Sequence, residues 1–399
     1  MTASVAAPFP RQALLSVGEV RTSVARLCGL LDERADELAN ARRLPDDLYE
    51  ITAGAGLFRQ LIPADLGGVD GTPLDWFRNG LEIARHDASV SWVVTQGAAE
   101  LGWIGAGGDP AWAAEVLADP MGTSASTIAG AGTLTPNGDV ARLAGRWGFN
   151  TGCHHATWIG GLAVVVGADG PGDPPEIRFG WVPADRAEIL DDWDPSGLAG
   201  TGSNSTVIPE QDVPMAWTLS PFVPTPNDRG PHRCVVGNGN WPIAVSVAAV
   251  QLGASRRALD ELRELLSTRN HRIDQRPLAE DHGVQVELMD VEGQWLAARA
   301  LVERELDSMW HQAVEHEELD TDQRVRLKLA CTNANAAAMQ VASTAMQLTC
   351  TATIDPHLPL SRCIRDIQAL QGHIGVGRAT LELAAQTSLG LANVPHPLV

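Results

Sequence analysis

At 399 residues the chain exceeds what one simple core holds, so two or three packing units or one large multilayer fold are expected. An apolar share of 44% beside 20% charged residues is ordinary for a globular protein, which sets aside the disordered and fibrous classes. Forty-nine acidic against 29 basic residues leave a formal charge of −20, which repels phosphate backbones and anionic lipid and argues against nucleic acid and membrane as partners.

Apolar side chains at Val20, Val24, Leu27, Leu31, Ala35 and Leu38 recur every three or four residues and predict one amphipathic helix over 17–41. Pro45 opens a short helix through Tyr49, the PADLGG segment at 63–68 reads as turns, and helical runs follow over 74–86 and 90–105. Residues 1–118 are therefore expected to form an α-helical domain. After Pro120 the texture becomes rich in Gly, Thr and Ser with short β-favouring blocks. Thr133–Thr135, the turn signal Pro136-Asn137-Gly138-Asp139 and 140–143 predict a hairpin. Further strands are expected over 162–166, 177–182 and 205–208, interrupted by GADGPGDPPE, which makes 119–222 a β domain. Beyond a proline-rich connection at 220–232, helical patterns over 245–270, 283–315, 322–348 and 361–390 predict a helical bundle spanning 223–399.

The six cysteines (Cys28, Cys153, Cys234, Cys331, Cys350, Cys363) show no CxxC pair and no dense framework, so neither a metal knuckle nor a disulfide scaffold is expected. The first residues lack a basic stretch followed by an apolar run, and no segment approaches the roughly 18 uncharged apolar residues of a membrane helix. A cytoplasmic protein is the resulting expectation.

Two segments carry most of the functional information: GRWGFNTGCHHATW at 145–158 and GLAGTGSNS at 197–205. On the residues alone they allow two readings. A Gly-rich β segment with Asn150 and Thr151 can bring backbone and small polar groups close to a planar polar ring. Equally, Trp147, Phe149 and Trp158 can be sheet core and Asn150-Thr151-Gly152 a turn. Thr95 and Gln96, in SWVVTQG, either line a ligand groove or only pack and cap a helix. His154 and His155 would point to opposite faces of a strand, and no carboxylate or cysteine cluster completes a metal site with them, so they are read as surface or supporting residues. No GxGxxG follows a predicted strand, so a bound nicotinamide is not indicated.

The order helices, sheet, long helices, together with PADLGG, GRWGFNTG, Trp193 followed by GLAGTGSNS, and the terminal SRCIRDIQALQGH, resembles the acyl-CoA dehydrogenase superfamily over nearly the whole chain. The resemblance is greatest to the group D two-component flavin-dependent monooxygenases. It implies a mainly α fold with a central β domain: an N-terminal α domain, a middle β-barrel or sandwich, and a C-terminal four-helix bundle. The implied activity uses reduced flavin and O2, by way of a C4a-hydroperoxyflavin, to hydroxylate or N/S-oxygenate a small organic substrate. The resemblance further implies a flavin reductase as partner, FAD ahead of FMN as cofactor, and a homotetramer. It places Thr95, Phe149, Asn150, Thr151, Trp158, Gln371 and Gly372 at the flavin, and Trp92 and Gln96 at the substrate. His373, Asn150 and Thr151 carry the implied chemistry. Arg269 would meet the cofactor's phosphates across a subunit boundary, a task suited to a guanidinium fork, whereas Arg272 and Arg276 are equally well solvated surface charges.

Dehydrogenation or oxygenation is the remaining choice. An FAD-dependent acyl-CoA dehydrogenase or oxidase needs a base to take the proton α to a thioester, and the family draws that glutamate from one of two segments. Here 232–259 holds no Asp or Glu, and 367–380 holds none either. His373 occupies the second segment instead, and an imidazole can donate or accept a proton near neutrality. Oxygenation is the expectation, with a dehydrogenase or oxidase of atypical base as the alternative.

Overall fold

A computed structural model describes residues 15–167, 176–221, 241–271, 275–316 and 319–391. The proline-rich connection from Phe222 on, most of GADGPGDPPE, the first part of the carboxylate-free stretch (232–240) and Arg272 lie outside the described residues. Helix α1 (Val17–Glu33) starts at a capping box, the Ser16 hydroxyl facing the Glu19 amide while the Glu19 carboxylate accepts from Ser16 N at 2.8 Å. The single helix expected over 17–41 breaks at Arg34, and α2 (Ala35–Asn40) follows. The Arg34 guanidinium holds Glu37 at 2.7 Å and Asp47 at 2.6 Å, tying the break to the next helix, α3 (Asp46–Gly54).

Helix α4 (Pro73–His86) has its own capping box, Thr72 with Asp75. Asp87 then caps α5 (Ala88–Gly107), accepting from Val90 N at 2.9 Å. Because α5 is buried on almost every side, it runs through the interior rather than over the surface. A short α6 (Pro110–Leu117) completes this part.

Eight strands form one mixed sheet: β1 (Ser124–Ala125), β2 (Gly130–Asn137), β3 (Val140–Trp147), β4 (Trp158–Val165), β5 (Ile177–Pro183), β6 (Glu188–Ile189), β7 (Thr206–Pro214) and β8 (Thr218–Leu219). The order is β6-β7-β3-β2-β4-β5-β8, with β1 and β2 both parallel to β4. The predicted hairpin is β2–β3, turning at Gly138 with φ 66°. The fully buried Trp147 lies against glycines of three strands and donates from Nε1 to Leu162 O at 2.8 Å. A Cβ at Gly161 would fall 2.5 Å from Trp147 Cδ2. Gly161→Ala should therefore destabilise the protein by about 1–3 kcal/mol, read as a lower unfolding midpoint with unchanged m-value.

The remaining helices are α7 (Trp241–Thr268), α8 (His282–His316), α9 (Thr321–Thr349), α10 (Pro359–Leu370) and α11 (Arg378–Ser388). The helix expected over 361–390 is thus two helices separated by a turn at 371–377. Gly375 allows that turn to press onto the start of α7, since a Cβ there would come within 3.2 Å of Ala244 N. Helix α7 packs on α4, α9 and α10 in one core that includes an edge-on Trp76–Trp241 pair at 5.9 Å. Gln251 Nε2 donates to Asn335 Oδ1 at 2.7 Å and to Ile367 O at 3.0 Å, fastening α7 to α9 and α10. Among the described residues no helix is long and apolar enough to cross a membrane.

Candidate active site

A cavity of about 1170 Å³ opens where α5, the sheet and the α10–α11 turn meet. One stripe of α5 lines it, at Trp92, Gln96, Ala99, Glu100 and Trp103, the i, i+4, i+7, i+8, i+11 spacing of a single helix face. The sheet adds Leu162, Ile177 and Phe179, and the opposite wall comes from 193–203.

Of the residues expected at the site, Trp92, Gln96, Phe149, Thr151, Gly372 and His373 line this cavity together. Five others do not. Thr95 is fully buried and donates its hydroxyl to Ser91 O at 2.8 Å, on the side of α5 that packs on α4 at Gly80. Asn150 is turned into the sheet, where Nδ2 donates to Thr206 Oγ1 at 2.9 Å and to Gly160 O at 3.3 Å. Trp158 is core, edge-on to Trp217 at 4.9 Å and to Trp112 at 6.1 Å. Gln371 is exposed and contributes its backbone carbonyl to Asn335. Arg269 follows the far end of α7, about 39 Å along that helix from the cavity-lining Ile243 at 1.5 Å per residue, so this chain's own Arg269 does not reach the cavity.

His154 and His155 sit on a turn rather than a strand, and neither lines the cavity. His154 pairs with Asn204 at 2.8 Å, and His155 stacks on Tyr49 at 4.5 Å and meets Asp46 at 3.0 Å.

Four polar groups on the cavity wall form a directed chain. Trp92 Nε1 donates to Thr151 Oγ1 at 3.0 Å, and Thr151 lies 2.9 Å from Ser203 Oγ. Ser203 donates to Thr201 Oγ1, and Thr201 to Leu198 O, both at 2.8 Å. Because Ser203 has already spent its one proton, Thr151 donates to Ser203. Every proton points away from Trp92, and the free lone pairs of Thr151 and Ser203 remain to accept from a ligand.

His373 does not ride on a helix but sits in the 371–377 turn, its ring edge-on to Trp92 at 5.4 Å. Gly375 N–H donates to its Nδ1 at 3.2 Å, so the neutral ring carries its proton on Nε2. Burial, reinforced by the nearby Lys328 ammonium, lowers its pKa from 6.5 to about 4. The imidazole is therefore neutral at pH 7.

Sequence reasoning missed three groups. Glu100 places a carboxylate on the cavity from outside the two segments where a base was sought, and burial raises its pKa. The spacing Trp92, Gln96, Glu100 was the signal for it. Arg362 is the cation of the terminal segment: it holds Asp87 at 2.6 Å and lies 4.0 Å from Asp366, while Arg365 points to Pro356 O. Asp366 Oδ1 accepts from Leu198 N at 2.7 Å, linking α10 to the wall that carries Thr201 and Ser203.

A planar polar ring system suits these surroundings. Phe149 is 67% exposed, held at φ 57° and edge-on to Trp193 at 5.9 Å, an apolar face that folding alone does not cover. Gln96 Nε2 is buried without a protein partner, and the hydroxyls of Thr151 and Ser203 stand beside it on the same cavity. The donor and acceptor set therefore fits an isoalloxazine and a flat substrate, and offers no metal-binding cluster on that wall among the described residues.

A family profile described as acyl-CoA dehydrogenase, C-terminal domain, matches residues 245–378. Indole-3-acetate monooxygenase of Pseudomonas putida is 27% identical over 383 residues, covering 93% of this chain and 94% of the relative. The oxygenase subunit HsaA of a Rhodococcus jostii flavin-dependent monooxygenase is 30% identical over 205 residues, 48% of this chain and 49% of that one. XiaF from a Streptomyces species, solved with FADH2 and glycerol, superposes with a TM-score of 0.86 at 23% identity over 95% of this chain and 97% of its own.

Proposed function

This chain belongs to the acyl-CoA dehydrogenase superfamily, among the relatives of its flavin-dependent monooxygenases, and from that premise we propose that it is the oxygenase component of a two-component system acting on a small aromatic or heteroaromatic molecule. The observation that carries this reading is a neutral His373, with its proton on Nε2, set on an aromatic-walled cavity beside the Thr151 and Ser203 hydroxyls. Reduced flavin, delivered by a separate reductase, supplies the two electrons that divide O2 between substrate and water.

The chain's own residues set the conditions for that chemistry. Trp92, Trp103, Phe149, Phe179 and Trp193 exclude water and offer flat surfaces for stacking. Thr151 and Ser203 accept hydrogen bonds from ring N–H groups and fix the plane of the ring. His373 holds a proton at Nε2 for an oxygen in the cavity, and its low pKa keeps it a neutral donor rather than an imidazolium.

The acyl-CoA dehydrogenase or oxidase alternative would need a free carboxylate. Glu100 lines the cavity, but both its oxygens are already engaged, which leaves it poorly placed as a base. We read the organisation as an α domain (1–118), a β domain (119–222) and a helical domain (223–399). Assembly as a cytoplasmic homotetramer would let Arg269 of one copy serve the phosphates of a cofactor held by another, with FAD ahead of FMN.

The test supplies the full chain with NADH, a flavin reductase, FAD or FMN, and 18O2, and follows products by mass spectrometry. One 18O atom per product molecule is the expected result. Bleaching of bound flavin by an acyl-CoA without oxygen, with no 18O product from aromatic compounds, would overturn the proposal in favour of the dehydrogenase.

A further inference from the structure

Among the described residues, one grouping of cysteine, histidine and carboxylate side chains stands apart from the cavity, where α1 and α4 pack together. Cys28 and Asp32 are four residues apart on α1, and Glu82 and His86 are four apart on α4. That spacing puts both members of each pair on one helix face, and the two faces meet. Cysteine spacing along the chain does not announce such a site, because its members come from two helices.

One ligand atom each from Cys28, Glu82 and His86 lie within 4.8 Å of one another. Ligands held at about 2.0–2.3 Å from a tetrahedral zinc ion stand roughly 3.3–3.8 Å apart, so these three close on an ion with side-chain shifts of about an ångström. Each imidazole nitrogen faces a carboxylate: Nδ1 lies 3.0 Å from Asp32 Oδ1, and Nε2 lies 3.6 Å from Glu82 Oε1. Nδ1 is buried, yet Asp32 stands off its hydrogen-bond direction and no protein group satisfies it. Whichever nitrogen takes an ion, a carboxylate stands at the other, which is how metal-bound imidazoles are oriented.

The surroundings favour a cation. Cys28 is 4% exposed while the Glu82 and Asp32 side chains are about half exposed, so the thiol forms the floor and the carboxylates the mouth. The cluster lies at the C-terminal ends of both helices, α1 ending at Glu33 and α4 at His86, where carbonyl dipoles attract positive charge. The nearby arginines have partners of their own. Arg85 meets Asp260 at 3.0 Å, and Arg257, 3.5 Å from Asp32, is held by Glu261 at 2.7 Å. The same groups can hold a proton on His86, since the Cys28 and Glu82 side chains, then Asp32, raise its pKa to about 10 against its burial. An ion therefore enters by releasing that proton and the one on the Cys28 thiol to solvent.

We propose that Cys28, Glu82 and His86 form a zinc site, with Asp32 orienting the imidazole and water as the fourth ligand. One sulfur, one nitrogen and one carboxylate oxygen suit Zn2+ rather than Mg2+ or Ca2+. None of the four residues lines the cavity, so the ion fastens α1 to α4 and takes no part in oxygenation.

Cobalt is the probe. The full chain, cleared of metal with a chelator, is titrated with Co2+, and then with Zn2+ in competition with a chromophoric chelator. The wild type should take up one Co2+ per chain, with the visible bands of tetrahedral cobalt and a sulfur-to-cobalt charge-transfer band, and zinc should displace it. Cys28→Ser should lose the charge-transfer band. Glu82→Gln, a change at a half-exposed side chain, should weaken zinc binding at least about tenfold. With free zinc at about 100 times Kd the wild-type unfolding midpoint should rise by about 3 °C, and that of Cys28→Ser should not move. Reductase-dependent 18O incorporation should be the same in Cys28→Ser as in the wild type, and its loss would overturn the purely structural role. If Cys28→Ser fails to fold, the wild-type spectrum and Glu82→Gln still decide. A wild type without tetrahedral cobalt bands, a charge-transfer band that survives Cys28→Ser, or a zinc affinity that Glu82→Gln leaves unchanged would overturn the proposal and leave the cluster an ion pair around a protonated His86.

Discussion

Replacing His373 by alanine should lower oxygenated product by about 10²-fold or more, the usual range for removing a positioned proton donor or acceptor. Reduced flavin supplied by the reductase should still be consumed, with the missing product recovered as hydrogen peroxide. Thr151, Ser203 and Phe149, which are expected to hold the ring, remain in place in that variant, so reduced-flavin affinity measured by equilibrium dialysis should change little. Glutamine at 373 separates two roles. Its amide can donate where Nε2–H does but cannot take up a proton at neutral pH, so partial rescue assigns His373 to hydrogen-bond donation and no rescue assigns it to proton uptake. The pH profile follows from the same geometry. With a folded pKa of about 4 against 6.5 in the unfolded chain, the ring stays neutral as pH falls through 6.5, and the coupling of product to flavin oxidation should show no histidine titration there. The unfolded chain takes up the proton first, so His373 subtracts stability progressively between pH 6.5 and 4. A wild-type profile with an inflection near 6.5 that disappears in His373→Ala would contradict the neutral assignment.

The layer order was legible because it depends on periodicity, and periodicity is a property of the sequence. The helix at 73–86, the hairpin with its Asn137-Gly138 turn and the long terminal helices all follow from apolar spacing and turn chemistry. Side-chain direction was harder to read. Thr95 and Gln96 are neighbours, yet about 100° of helix rotation sends one into α4 and the other to the cavity. Phe149, Asn150 and Thr151 were expected together, but the positive φ at Phe149 swings the chain so that Asn150 alone turns into the sheet. Trp158 was expected at the ring from the family resemblance alone, and it is instead the first residue of a strand whose inner face packs on α6. The break at 371–377 had a visible sign in Gly372, Gly375 and Gly377, which the apolar pattern outweighed. Glu100 went unread because carboxylates were sought only in the two segments where a dehydrogenase carries its base.

Arg362→Met should cost about 3–5 kcal/mol of stability, because it leaves Asp87 without its cation in a site where the Asp87 side chain is only 2% exposed. Arg362 reaches Asp87 at 2.6 Å and Leu38 O at 3.3 Å and stands 4.0 Å from Asp366, so one guanidinium joins α2, the start of α5 and α10. Asp87→Asn with Arg362→Met should recover part of the loss, since the asparagine oxygen can still cap α5 through Val90 N without burying a charge. A pH series isolates the second carboxylate. Burial raises Asp366 to about 6 even with Arg362 beside it, so in the wild type its contribution is fully present below the ordinary value of 3.8 and is lost as pH rises through 6. Without the arginine that pKa rises further. The deficit of Arg362→Met in urea unfolding should then be larger at pH 7 than at pH 5, where Asp366 is protonated. A deficit that stays constant between those values would remove Asp366 from the network and leave Asp87 as the sole partner. The consequence for the site runs through Leu198, whose amide Asp366 holds at 2.7 Å while its carbonyl ends the Thr151–Ser203–Thr201 chain. Arg362→Met protein that is still folded at 15 °C should accordingly bind reduced flavin more weakly, although Arg362 itself does not line the cavity.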